Sequence, residues 1–271
     1  MSYSAKSIII TGASSGLGKA LALNLASQGA ALTLAARRFE LLEALQKNIL
    51  ERYKNTQILI VKSDVTSAKD SKELVQESIK FHKKLDIFIA NAGQSMWSRF
   101  RDIAHPQELL NLMQLNYMGV VNGAFYALPY LQESKGSFVA ISSIQGAIPV
   151  AFHSGYVASK YAVSGFIDTL RLEEPDIHFM LAMPSWISGT ELRAHALTGS
   201  AQNSVVVNKK HGKHAISAES CALEILKALE LRKNQIFIPK KYKYIPALRL
   251  FFGSLLDKII QSRVKKQLRA E

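Results

Sequence analysis

Short, continuously apolar runs alternate along this chain with longer segments whose apolar residues recur every three or four positions. The runs Lys6–Thr11, Ala31–Ala36, Gln57–Ser63, Asp86–Ala90, Ser137–Ser142, His178–Met183 and Gln235–Pro239 predict strands. The periodic segments 17–28, 39–53, 68–83, 106–133, 155–173 and 218–232 predict helices. Strands that are apolar throughout, without alternation, belong to a sheet covered on both faces. The repetition therefore predicts an α/β, doubly wound Rossmann-type fold: a predominantly parallel seven-stranded sheet flanked by helices. Ligands in such sheets bind beyond the carboxyl ends of the strands. No repeat or interdomain linker is visible, so residues 1–240 are expected to form one domain and 241–271 an extension of it. Ser185–Ser217 is too long for an ordinary connection and predicts a lid or a disordered loop. Arg171–His178 is short for a helix-to-strand connection.

Composition narrows the class. The chain has 271 residues, 48% hydrophobic and 20% charged, enough to bury a core and too apolar for disorder. Cys221 is the only cysteine, which excludes an internal disulfide and a cysteine-based metal site and fits a reducing compartment. The residues from Met1 to Lys6 run directly into the first strand, so no secretory signal is expected, and a cytoplasmic location is. No run of ~18 uninterrupted apolar residues predicts a conventional membrane-spanning helix. The net charge is +13, but Pro239–Glu271 carries nine Lys/Arg against two acids, or +7 of it. Basicity concentrated in a tail is not the mark of a nucleic-acid binder, and no nucleic acid is expected as partner. The seven histidines lack metal-ligand spacing, with His211 and His214 in a Lys-rich loop, so no metal is expected. No Gly-x-Ser-x-Gly elbow points to a hydrolase.

Two constellations carry chemistry. The first strand ends in Thr11-Gly12-Ala13-Ser14-Ser15-Gly16-Leu17-Gly18 and opens a helix. Glycines tighten such a turn and let backbone approach a pyrophosphate, which the helix N-terminus attracts. Further on, Tyr156-Val157-Ala158-Ser159-Lys160 sets a phenol and an ammonium one helical turn apart on one face. In a chain with nine Tyr, one such pair is expected by chance, so the spacing alone is weak. Ser143, at the end of the fifth strand, and Asn116, upstream in a helix, strengthen it.

Together these residues resemble the short-chain dehydrogenase/reductase family over roughly residues 5–240. Asp64-Val65 after the third strand, Asn91-Ala92-Gly93 after the fourth, and Asn116 match it as well. The resemblance implies that Asp64 bonds an adenine amino group, Val65 packs on that ring, and Asn91-Ala92-Gly93 walls the cofactor. It also implies a serine 13 positions before the tyrosine, which selects Ser143 over Ser142.

Cofactor choice is set after the second strand. A ribose 2′-hydroxyl calls for an acidic acceptor there and a 2′-phosphate for Arg. The sequence has Ala36 followed by Arg37 and Arg38, and a guanidinium forks onto phosphate oxygens, so NADP(H) is expected. In the implied chemistry Tyr156 is the acid or base, since a phenol of pKa near ~10 needs a neighbouring cation to favour phenolate. Lys160 supplies that cation and holds the nicotinamide ribose, Ser143 polarises the substrate carbonyl, and Asn116 holds a water on the proton relay to Lys160.

The chain departs from the family after the sixth strand. Pro184 is followed by Ser185 rather than Gly, and Thr190 comes six residues on, with Gly189 at five. Pro184, Ile187 and Thr190 are the expected nicotinamide contacts in that loop. The expected function is an NADP(H)-dependent oxidoreductase interconverting a carbonyl and an alcohol, with a hydrophobic or lipid-like ketone as substrate. A 3-oxoacyl thioester reductase and a non-catalytic NADP(H) sensor or scaffold are the alternatives. Met96, Trp97 and Phe100 either line the substrate cleft or pack beneath a loop, and Arg193, Lys209, Lys210 and Lys213 either meet an acidic substrate or are solvated.

The resemblance further implies a homo-oligomer, dimer or tetramer, paired through helices 106–133 and 155–173. In the tail, Leu248, Phe251, Phe252, Leu255, Leu256 and Ile259 form an apolar stripe, with Arg249, Lys258, Arg263, Lys265 and Lys266 around and after it. The stripe either packs on the body or a second subunit, or lies as a basic amphipathic helix at a membrane surface.

Overall fold

The computed structural model describes residues 3–192, 196–198 and 215–269. The elements follow one another as β1 (Ser7–Thr11), α1 (Gly16–Ser27), β2 (Ala31–Ala36), α2 (Phe39–Arg52), β3 (Ile58–Lys62), α3 (Ala68–His82) and β4 (Ile87–Ala90). After these come α4 (Pro106–Met113), α5 (Gly119–Ser134), β5 (Ser137–Ile141), α6 (Ser154–Glu173) and β6 (His178–Pro184). The chain closes with β7 (Ile187–Ser188), β8 (Ile216–Ser217), α7 (Ala218–Glu230), β9 (Gln235–Ile238) and α8 (Ile245–Arg269). Seven strands form one sheet in the order β3-β2-β1-β4-β5-β6-β9, with every pairing parallel.

The uniformly apolar strands have a direct structural reason. Along β1, Ile8 and Ile10 point to one face and meet Leu21, Leu25 and Leu226 from α1 and α7. Ile9 points to the other face and joins Phe88 and Phe138 with Val120, Val163 and Ile167 from α5 and α6. All three isoleucines are fully buried, so both faces of the strand are lined by apolar side chains. The phenylalanines of β4 and β5 stack with ring centroids 5.2 Å apart. At the opposite end of the sheet from the site, Asp86 ties the strand starts together. It accepts from Lys6 Nζ at 2.8 Å and the Ser7 amide at 2.9 Å, with Lys84 Nζ 2.9 Å away. Burial alone would raise its carboxyl, but these donors overcome burial and hold it below the usual carboxylate range.

The structure refines three sequence expectations. The segment 106–133 is not one regular helix: a wider, π-type turn at Gln114–Met118 separates α4 from α5. The short connection before β6 is a tight turn, with the Glu174 amide on Leu170 O and the Ile177 amide on Glu174 O. The segment 185–217 is not irregular throughout. β7 and β8 pair at its base, and Leu197 is hydrogen-bonded to Ser95 and Trp97. Arg193, Lys209, Lys210, His211, Lys213 and His214 lie outside the described residues.

Candidate active site

Because all seven strands run the same way, their carboxyl ends open on one side, where a cleft of about 790 Å³ gathers residues from Gly12 to Ile245. At its floor β1 stops at Thr11 and the chain turns through Gly12 (φ +63°) and Gly16 (φ +53°) into α1. Gly18 lets the helix settle on that turn: a Cβ there would lie 2.3 Å from Gly12 O and 2.6 Å from Asn91 Nδ2. The end of β4 braces the same turn. Asn91 Nδ2 donates to Thr11 O and Gly12 O at 3.0 and 3.1 Å, and Thr11 Oγ1 accepts from the Asn91 and Ala92 amides at 3.0 and 3.2 Å. Ser15 at the helix start makes no side-chain cap, so the positive end of α1 opens into the cleft. An uncapped helix end with a turn only glycines can make fits the pyrophosphate of a dinucleotide.

The two arginines after β2 take different positions. Arg38 reaches across the glycine turn, donating from Nη2 to Ser15 Oγ at 2.9 Å and Ser14 Oγ at 3.5 Å, while its Nη1 pairs with Glu191 at 2.8 Å. Arg37 stays at the rim, 68% exposed, with Nη1 3.9 Å from Asp64 Oδ2. The other Asp64 oxygen accepts from the Thr66 amide and hydroxyl at 3.0 and 2.9 Å. Leu17, Val65, Gly93, Pro184, Ile187 and Thr190 complete the walls, and Thr190 packs over Gly16. Of the residues nominated for the cofactor and the catalytic set, Thr11, Gly18 and Asn116 alone do not line the cleft; they stand behind its wall and brace it.

The reactive groups meet on one wall. Tyr156 and Lys160, from the first turns of α6, lie side by side and almost wholly buried, with Lys160 Nζ 5.7 Å from the Tyr156 ring centre. Ser143 follows β5 and stands on the cleft wall with Tyr156, its hydroxyl donating to Pro184 O at 3.4 Å. The Ser142 hydroxyl turns instead towards Lys160 O and Ser164, so Ser143 is the serine that faces the phenol. Lys160 Nζ is anchored on Ile141 O at 2.9 Å. Burial pushes the Tyr156 phenol up to about 12, outweighing the Ser143 hydrogen bond that lowers it, and pushes Lys160 down to about 8.

Asn116 sits in the π-type turn, fully buried, and acts through its neighbours. Its Oδ1 accepts from the Gln94 amide at 2.8 Å, and its Nδ2 donates to Gln94 O at 2.9 Å and Ser159 Oγ at 3.0 Å. Ser159 in turn donates to Tyr156 O at 2.8 Å, so Asn116 ties the wall at Gly93-Gln94 to the helix carrying the reactive pair.

Several cleft residues carry no sequence motif. Gln145 is buried beside Ser143, and its Oε1 has no hydrogen-bond partner among the described residues. Trp186, Tyr242 and Ile245 also line the cleft. Their side chains matter by position only, and no spacing rule singles them out. Met96 and Trp97 pack rather than line: Met96 lies under Tyr156 with Leu112, and Trp97 sits among Phe152, His153 and Trp186. Phe100 is on the surface.

Comparison with known proteins accords with this arrangement. Residues 6–200 match the sequence model of the short chain dehydrogenase family. "Dehydrogenase/reductase SDR family protein 7-like" of Dictyostelium discoideum is 33% identical over 98% of this chain and 85% of its own length. "11-beta-hydroxysteroid dehydrogenase-like 3" of Arabidopsis thaliana is also 33% identical, over 93% of this chain and 79% of its own. Among solved structures, a short-chain dehydrogenase/reductase from Burkholderia phymatum in complex with NAD superposes with a TM-score of 0.81 at 20% identity, covering 94% of this chain and 96% of that one. An alcohol dehydrogenase from Thermococcus sibiricus complexed with 5-hydroxy-NADP gives 0.76 at 24% identity, covering 86% and 95%. At that identity the two structures bear on the fold alone.

Proposed function

This chain belongs to the short chain dehydrogenase family and is an oxidoreductase of a nicotinamide cofactor, and from that premise we propose an NADP(H)-dependent enzyme that reduces a hydrophobic, lipid-like ketone to its alcohol. The convergence of Ser143, Tyr156 and Lys160 on one wall of the cleft carries this reading. When bound, the dinucleotide supplies a hydride to the carbonyl carbon. The chain supplies everything else. Ser143 donates a hydrogen bond to the carbonyl oxygen and fixes it beside the phenol. Tyr156, protonated at neutral pH because burial raises it, passes its proton to that oxygen as the alkoxide develops. Lys160 places a positive charge next to the phenolate that remains and offers donors to the ribose hydroxyls. A phenol held protonated favours the reducing direction.

NADP(H) is supported by two guanidinium groups where an acidic ribose acceptor would stand, one of them already on Ser14 and Ser15. The hydrophobic substrate is supported by Ile144, Ile148, Val150, Trp186, Leu192 and Ile245 along the cleft. That the Arabidopsis relative's name mentions a hydroxysteroid agrees with it. We read the enzyme as a homo-oligomer, on the strength of large apolar side chains exposed on α5 and α6.

Initial rates with NADPH and NADH over a panel of simple ketones, 3-oxoacyl thioesters, steroids and sphingoid ketones test the proposal. Turnover of an apolar ketone with NADPH is expected. Arg38→Ala is expected to raise KM for NADPH about tenfold or more and KM for NADH no more than about threefold, because only the former carries the 2′-phosphate. Equal effects on the two would overturn the NADP(H) assignment. Cofactor binding without oxidation of NADPH by any member would favour a sensor.

A further inference from the structure

Beyond β9 the chain leaves the cleft and becomes exposed. Tyr242 and Ile245 still line the cleft wall, and from there α8 runs outward. Leu250 and Phe251 are 81% and 76% exposed, and Leu248, Phe252 and Leu255 are each about half exposed. Of the stripe read in the sequence, Leu248, Phe251, Phe252 and Leu255 therefore face solvent, while Leu256 is half-buried. The side chains of Ile259, Arg263, Lys265 and Lys266 lie outside the described set. Five large apolar side chains exposed together on one short segment mark a site of contact.

Charge identifies what it contacts. Between Lys240 and Ser262 the only acidic residue is Asp257, and Arg249 neutralises it at 2.9 Å. The helix bends at Phe252, whose backbone (φ −125°, ψ 29°) leaves the helical region, and the Arg249–Asp257 pair spans the bend. Lys240, Lys241, Lys243 and Lys258 remain, all exposed and none facing an acid in this segment. Lys241 and Lys243 lie against the rings of Tyr242 and Tyr244, which pairs cations with the amphipathic aromatics that favour a membrane–water boundary. A second copy would set these uncompensated lysines against their equivalents, and like charges repel. An anionic lipid surface accepts both the lysines and the apolar side chains. Among the described residues no helix is long and apolar enough to cross a membrane, so the contact lies along the surface.

We propose that the segment from Lys240 through α8 docks the enzyme on an anionic lipid bilayer with the substrate end of the cleft turned towards it. Tyr242 and Ile245 join the docked segment to the cleft, so an apolar ketone passes from lipid to Tyr156 without crossing water. This route rests on the function proposed above; the docking itself does not.

Flotation of the full chain with vesicles separates the two. Most of the protein is expected to float with phosphatidylcholine vesicles containing phosphatidylglycerol, and about fivefold less with phosphatidylcholine alone or at high salt. Phe251→Asp combined with Leu255→Asp is expected to cut flotation about tenfold while NADPH binding stays unchanged, since neither residue lines the cleft. The orientation is read from Trp186, made the only tryptophan by Trp97→Phe: its fluorescence should be quenched by brominated lipid in the same vesicles. Failure to float with phosphatidylglycerol, or flotation untouched by the paired substitution, overturns the docking. Flotation without quenching overturns the orientation. Loss of an oligomer on substitution, with no flotation of the parent, assigns the face to a second copy instead. A chain that floats and is quenched but never oxidises NADPH leaves the docking standing and removes the function.

Discussion

Tyr156 and Lys160 are held in protonation states that only burial explains. The phenol pushed up to about 12 is a proton donor across the neutral range, and the ammonium pushed down to about 8 is a cation only below that value. Lowering a lysine's pKa moves the loss of its charge into the accessible range, so charge support for the phenolate is complete below about pH 8 and fades above it. A pH–rate profile of kcat/KM for carbonyl reduction is accordingly expected to be flat on the acid side of pH 8 and to fall as pH rises past it. Alcohol oxidation, which needs the phenolate, should rise over the same interval. A reduction rate that climbs with pH there would contradict the assignment of donor and cation. Tyr156 and Lys160 were legible in the sequence as a pair one helical turn apart, and Ser143 through the family resemblance that sets a serine 13 positions before the tyrosine. Gln145, Trp186 and Tyr242 were not, because each serves the cleft through where its backbone happens to pass.

The strands read cleanly because both sheet faces are buried and each residue from Ser7 to Thr11, or from Ser137 to Ile141, is inside. The helices read cleanly where only one face is apolar. Within 106–133 the chain is helical throughout as read, but the pattern does not show the π-type turn at Gln114–Met118, which absorbs one extra residue while the apolar positions before and after it keep helical spacing. That extra residue swings Asn116 inward to Gln94 and Ser159, so the irregularity the pattern hides is the one the site uses. On their outer faces α5 and α6 leave Phe125 70% exposed and Leu172 82% exposed, with Tyr161 partly so. Such side chains on two neighbouring helices call for a partner surface. Sedimentation at micromolar concentration is expected to show a dimer or tetramer, and Phe125→Glu with Leu172→Glu to shift it towards monomer while the fold is kept. A monomeric parent chain would remove this interface.

At the scale of the molecule, residues as distant in sequence as Gly12 and Tyr242 share one cleft because a wholly parallel sheet delivers every strand end to the same side. This much followed from the alternation of strand and helix alone. The tail shows the opposite limit: its stripe was visible in sequence, but whether the stripe faced the body or solvent depended on where α8 leaves the cleft. Carbonyl reduction in this cleft, with Tyr156 giving the proton to the oxygen, is read out by isotopic labelling. NADPH deuterated at the transferring position of C4 is incubated with the ketone panel, and the products are weighed by mass spectrometry. The wild-type chain is expected to place one deuterium on the carbinol carbon of an apolar alcohol. Tyr156→Phe is expected to bind NADPH with Kd within about threefold of wild type and to transfer deuterium about 100-fold more slowly or worse. Transfer by Tyr156→Phe at the wild-type rate, or no transfer by the wild-type chain to any ketone while NADPH stays bound, would contradict the account.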